Sequence, residues 1–131
     1  MPCINLEPLC ADYGMDFVDC DAQTKVTDKE NVINKALGVL VENGFYAMSV
    51  FLLSCNQARY GEQVFDKLMD MLRDERLSLT RSRNRRNEAL PDIRAITMDL
   101  PKLILARKVT EQALTFARYH CKAVRRNNGN D

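Results

Sequence analysis

The sequence predicts an all-α protein: a compact bundle of five or six helices with a long amphipathic C-terminal helix. Three observations carry this. Glycine and proline are scarce, five and four in 131 residues. Apolar residues recur at helical spacing through most of the chain, and strands are hard to find. Residues 100–126, wrapped at roughly 100° each, split into two faces. Leu103, Leu105, Ala106, Val109, Ala113, Leu114, Phe116, Ala117, Cys121, Ala123 and Val124 fill one side. Arg107, Lys108, Gln112, Thr115, Arg118, Lys122, Arg125 and Arg126 fill the other, with Glu111 the one acid and Ile104 the one apolar intruder.

The elements follow in order. Residues 5–20 make a weak first helix. Pro8 fits its first turn, Leu9, Tyr13, Phe17 and Val18 form its apolar side, and Gly14 weakens it. A turn spans Asp21 to Val26. Thr27-Asp28-Lys29-Glu30 has the form of a capping box. The helix behind it places Val32, Ile33, Ala36, Leu37, Val39, Leu40 and Val41 on one side, and Gly44 is suited to end it. Phe45 to Ala58 is apolar nearly all round, which predicts a central helix. Gly61 interrupts. Glu62 to Leu77 is amphipathic, with Val64, Phe65, Leu68, Met69, Met71 and Leu72 facing in.

Residues 78–91 are polar and basic, and read as a mobile loop. Residues 92–98 form a short helix in preference to a strand pairing with 77–80, because a lone two-stranded ribbon is marginal. Asp99 caps the last helix and Pro101 sits in its first turn. Residues 127–131 should fray. Phe51 and Phe116 are expected buried where the central and last helices meet.

At this length, residues 1–131 form one helical domain with room for its own core. The net charge of +1 hides a segregation. Through residue 30 stand Glu7, Asp12, Asp16, Asp19, Asp21, Asp28 and Glu30 against Lys25 and Lys29. Arg73, Arg76, Arg81, Arg83, Arg85 and Arg86 follow against Asp74 and Glu75, and seven bases against Glu111 from Lys102 to Arg126. A basic half suits a phosphate backbone, and an acidic end suits a neighbouring subunit or a second copy.

No apolar run approaches the roughly 20 residues that span a bilayer. No signal-peptide pattern is evident. Five cysteines, none spaced Cys-x-x-Cys, argue against a disulfide framework and a zinc site, and the expected location is cytoplasmic. No cofactor is expected.

No catalytic constellation is visible. His120 is the sole histidine, placed on the apolar side of the last helix, and adjacent Cys121 points about 100° away from it. Asp66 and Asp70 lie on an outward face, where carboxylates serve solubility. Phosphate-loop, dinucleotide and nucleophile-elbow motifs are absent. The expectation is a protein without enzymatic activity that binds an anionic, phosphate-bearing partner through Arg81, Arg83, Arg85, Arg86, Arg107, Lys108, Arg118, Lys122, Arg125 and Arg126. Arginine forks match phosphates bidentately.

Two stretches resemble a known family. Asn43-Gly44-Phe45, leading into Phe51-Leu52, resembles an Asn-Gly-Leu helix entry. Residues 109–119, Val-Thr-Glu-Gln-Ala-Leu-Thr-Phe-Ala-Arg-Tyr, resemble a terminal-helix pattern Thr-x-Glu-x-Leu-x-Phe-Leu-x-Trp. Both patterns belong to the small helical subunit of type III-B CRISPR effector complexes, the Cmr small-subunit family. Gln112 stands where that family favours glutamate, Tyr119 where it favours tryptophan, His120 where it favours an apolar residue, and Ser49 where leucine is expected. The type III-A small subunit and an unrelated helical bundle are the alternatives.

The resemblance implies a non-enzymatic building block. Several copies would stack along a guide–target RNA duplex beside other effector-complex subunits, the basic face on phosphates and sugars, while base pairing reads sequence. The reading from a different class is a protein–protein adaptor or homo-oligomeric scaffold without nucleic-acid binding.

Overall fold

The computed structural model describes residues 5–55, 58–81 and 86–127. Among them run α1 (Glu7–Asp19), α2 (Val26–Asn43), α3 (Phe45–Ser54), α4 (Ala58–Arg73), a 3-10 turn (Arg86–Ala89), α5 (Leu90–Thr97) and α6 (Leu100–Asn127). No strand is found among the described residues, and residues 92–98 fall in and just after α5. No described helix is long and apolar enough to cross a membrane.

α6 is the axis. It has 28 residues, about 42 Å at 1.5 Å each. Asp99 starts it, its carboxylate accepting the Lys102 amide at 3.3 Å. Ala106, Val109, Ala113, Leu114, Ala117 and Cys121 are buried along its inner side, and Ile104 is exposed. The main partners of α6 are α1 and α2. α1 runs parallel to it: the Cys10 thiol reaches the Val109 carbonyl, and Asp19 lies beside His120. α2 runs antiparallel, with Glu30 at Arg125 and Val41 at Arg107.

Gly14 does not merely weaken α1. A Cβ there would lie 2.8 Å from the Ala113 carbonyl oxygen and 2.9 Å from Phe116 Cβ, so its absence permits the close α1–α6 approach. Gly61 likewise does not interrupt. It lies in the first turn of α4, where a side chain would overlap the Leu52 carbonyl and the Cys55 sulfur. Gly44 does end α2. Its φ of 101° is open to glycine, its amide bonds back to Val39 and Leu40, and its carbonyl takes the Met48 amide of α3.

Other expectations change. α2 begins at Val26 with Lys25 at its N-cap and no side-chain cap, so Thr27-Glu30 is not a capping box. The preceding turn is held by Asp21, which accepts the Gln23 amide and the Thr24 hydroxyl, both at 2.8 Å. Those donors hold its carboxyl below the usual range. α3 is not central. It packs on α2, α4 and α5 and barely touches α6, leaving Tyr46 and Val50 exposed. Phe51 and Phe116 therefore do not meet. Phe51 is half-buried in a groove beside Asp28, Asn31, Val32 and Lys35, and Phe116 is half-buried near Gly14. Val41 turns outward.

The predicted loop at 78–91 is shorter than expected. Leu79 is buried and its amide bonds the Leu72 carbonyl at the end of α4, while Ala89 is buried and residues 86–91 are helical. Of the tail expected to fray, Asn127 closes α6, and 128–131 lie outside the described residues.

Candidate nucleic-acid interface

The bases of α6 define the candidate surface. Lys108, Arg118, Lys122 and Arg126 are spaced by ten, four and four residues, within roughly 80° of one another at 100° each, with Glu111 and Thr115 between them, so one stripe carries them all. From Lys108 to Arg126 the stripe rises about 27 Å. It has two clusters. Arg107 and Lys108 form the first; Arg118, Lys122 and Arg126 form the second. Arg107 also donates to the Val41 carbonyl at 3.2 Å, at the negative end of α2.

The structure separates the other predicted contacts from this stripe. Arg125 turns inward, donating to Glu30 Oε1 at 2.7 Å, and is an internal partner instead of a free surface base. Its place on the wheel flanks α2, which draws it toward the buried carboxylate. Arg81 is exposed beside Lys102, Asp92 and Leu79. Lys102 precedes Lys108 by six residues, roughly 120° around the helix at 100° each, so Arg81 lies on another side of α6. Arg86 opens the 3-10 turn, and Arg83 and Arg85 lie outside the described residues.

The charge blocks that are distant in sequence are neighbours in space. Asp12 pairs with Arg76 at 3.2 Å, Asp19 stands 4.0 Å from His120 Nε2, and Glu30 meets Arg125. Asp12 and Glu30 of the acidic N-terminal segment are thus paired with arginines of the same chain. Arg76 also grips Asp74 through two nitrogens at 2.9 Å, and Asp74 accepts the Tyr13 hydroxyl at 2.9 Å. The Arg76 guanidinium holds the Asp74 carboxyl well below the usual carboxylate range. Burial, then the bond to Asp74, pushes the Tyr13 phenol up.

Behind the second cluster lies a polar knot. Lys29 donates to the Val18 carbonyl at 2.6 Å and the Tyr60 hydroxyl donates to the Phe17 carbonyl, so two side chains cap the C-terminus of α1. Lys29 Nζ sits 5.9 Å from the Tyr60 ring centroid. Nearby Cys20 and Cys121 are free, and burial pushes each thiol up to about 11. At neutral pH these are neutral packing groups, not nucleophiles. His120 is half-buried at the edge of α6 instead of in the middle of its apolar side. Among the described residues no three His, Cys, Asp or Glu side chains converge as metal ligands.

Residue-type reasoning passed over one member of the surface. Tyr119 is 61% exposed in the second cluster, its ring centroid 6.0 Å from the Arg118 guanidinium carbon. The helical wheel was the available signal, since it sets Tyr119 about 60° from Lys122.

No protein-family model, curated protein or solved structure matches this chain.

Proposed function

We propose that this protein is a non-catalytic structural subunit of a type III CRISPR ribonucleoprotein, holding the phosphate backbone of RNA on the outer face of α6. The observation that carries the reading is the stripe itself: Arg107, Lys108, Arg118, Lys122 and Arg126 share one face with Glu111 the one acid among them. The particular family rests on the resemblance of two stretches to its patterns. The Asn43-Gly44-Phe45 stretch forms the left-handed turn into α3, and residues 109–119 form the middle of α6. In such a complex the duplex is read by guide–target pairing, and copies of this chain stack beside other subunits along it. The cell compartment is cytoplasmic in this reading.

RNA binding tested by fluorescence anisotropy checks it. Two oligoribonucleotides of unrelated sequence should bind alike, and affinity should fall steeply between low and moderate salt as counterions are released. Affinity flat in salt, or confined to one sequence, overturns the reading.

A second reading, a homo-oligomeric scaffold without nucleic-acid binding, draws on another observation. Val41, Tyr46, Met98, Leu100 and Ile104 are exposed around the α2–α3 turn, α5 and the first turns of α6. Sedimentation at micromolar concentration discriminates the two. A tight dimer insensitive to salt favours the scaffold; a monomer that assembles only with RNA favours the first reading.

A further inference from the structure

We propose that Tyr119 is a stacking platform for an unpaired base, so that the second basic cluster binds a nucleotide through both its phosphate and its base. This rests on the backbone-binding reading above and adds to it a ligand class: single-stranded RNA, or a nucleotide splayed from a duplex. Bases within a paired duplex have both faces occupied by their neighbours, so a platform of this kind takes a loop, end or displaced nucleotide.

The four tyrosines of the chain set Tyr119 apart. Tyr13 is tied to Asp74, Tyr60 is buried and tied to Phe17, and Tyr46 lies among apolar neighbours beside α5. Tyr119 has the most exposed ring of the four, and its hydroxyl has no hydrogen-bond partner among the described residues. Folding therefore makes little use of it. Of its neighbours one helical turn away, Thr115 and Ala123 are short and Phe116 and Lys122 are long, and the side chain stays 61% exposed with the Arg118 guanidinium over the ring. Around it stand Arg118, Lys122 and Arg126, each able to hold a phosphate. An exposed aromatic ring among such cations is the pairing that single-strand binding uses: cations follow the backbone, and a ring offers its face to any base.

The chain has no tryptophan, so Tyr119→Trp installs a single fluorophore at the site. Oligouridylate should quench its emission. An abasic oligoribonucleotide of equal length should bind through its phosphates without quenching. In unlabelled protein, Tyr119→Ala should lose about tenfold in affinity for oligouridylate, in line with alanine replacement of stacking aromatics. It should bind the abasic strand as wild type does, with its salt dependence unchanged. Tyr119→Phe should restore binding, and the melting temperature of each variant should match wild type. Equal losses for both strands, no loss for either, or quenching by the abasic strand overturns the platform while leaving backbone binding in place. Failure of wild-type protein to bind either strand overturns both.

Discussion

Glu30 and Arg125, ninety-five positions apart, meet at 2.7 Å and join the start of α2 to the end of α6. Glu30's side chain is 9% exposed and Arg125's 28%. A carboxylate so enclosed is costly without its partner. The pair decides which arginines of the C-terminus are structural and which face outward.

Arg125→Ala should therefore cost about 2–3 kcal/mol, at or below the range for breaking a buried pair, since Arg125 keeps some solvent contact. Its neighbour Arg126, on the exposed stripe, should cost less than about 0.5 kcal/mol when changed to alanine. Urea unfolding of the two variants side by side checks the contrast. Equal losses would show that the pair contributes nothing particular.

The two faces of glycine make a second test. Gly14→Ala puts a methyl group against the Ala113 backbone and Phe116, where the neighbours cannot easily yield. It should destabilise by about 1–3 kcal/mol, as overpacking does. Gly38 lies in α2 with nothing within 4 Å of an added Cβ. Gly38→Ala should instead stabilise by about 0.5–1 kcal/mol through chain entropy and helix propensity. Opposite shifts in melting temperature are expected, and a neutral Gly14→Ala would mean that α1 and α6 are less closely packed.

Acid stability should report Asp74. Arg76, joined by Tyr13, depresses its carboxyl in the folded protein. A group whose folded value lies below its unfolded value stabilises the fold at pH values above the unfolded one, near 4. That contribution is full at neutral pH and is lost as pH falls below about 4 toward the folded value. Asp74→Asn should lower stability at pH 7 and flatten this part of the acid limb. An acid limb identical to wild type would show that other carboxylates govern it.

Much of the fold is legible in the residues. Val64, Phe65, Leu68, Met69, Met71 and Leu72 are buried as their spacing requires, Asp99 starts α6, and Ile104 points to solvent as the wheel has it. What is not legible depends on partners. Periodicity gives a helix an apolar face but not the neighbour that covers it, so α3 looked central although α1 and α2 hold α6. A capping box and a glycine break are local patterns that tertiary contacts override: Glu30 serves Arg125, and Gly61 serves the approach of α3 and α4. The site divides in the same way. Charge spacing finds the stripe of Lys108, Arg118, Lys122 and Arg126, while the inward turn of Arg125 and the outward ring of Tyr119 emerge only once the helices are packed.

The central claim is that the outer face of α6 holds RNA by its phosphates. The most direct measurement is the salt dependence of RNA affinity for wild type and for a variant with Lys108, Arg118, Lys122 and Arg126 changed to alanine. Each phosphate contact removed should lessen the slope of log affinity against log salt by about 0.7 for a single strand. The variant should thus bind far more weakly at low salt, with a slope shallower by up to about 3 and an unchanged melting temperature. Equal affinity and equal slope in the two proteins would contradict the account, for the RNA would then be held elsewhere or not at all.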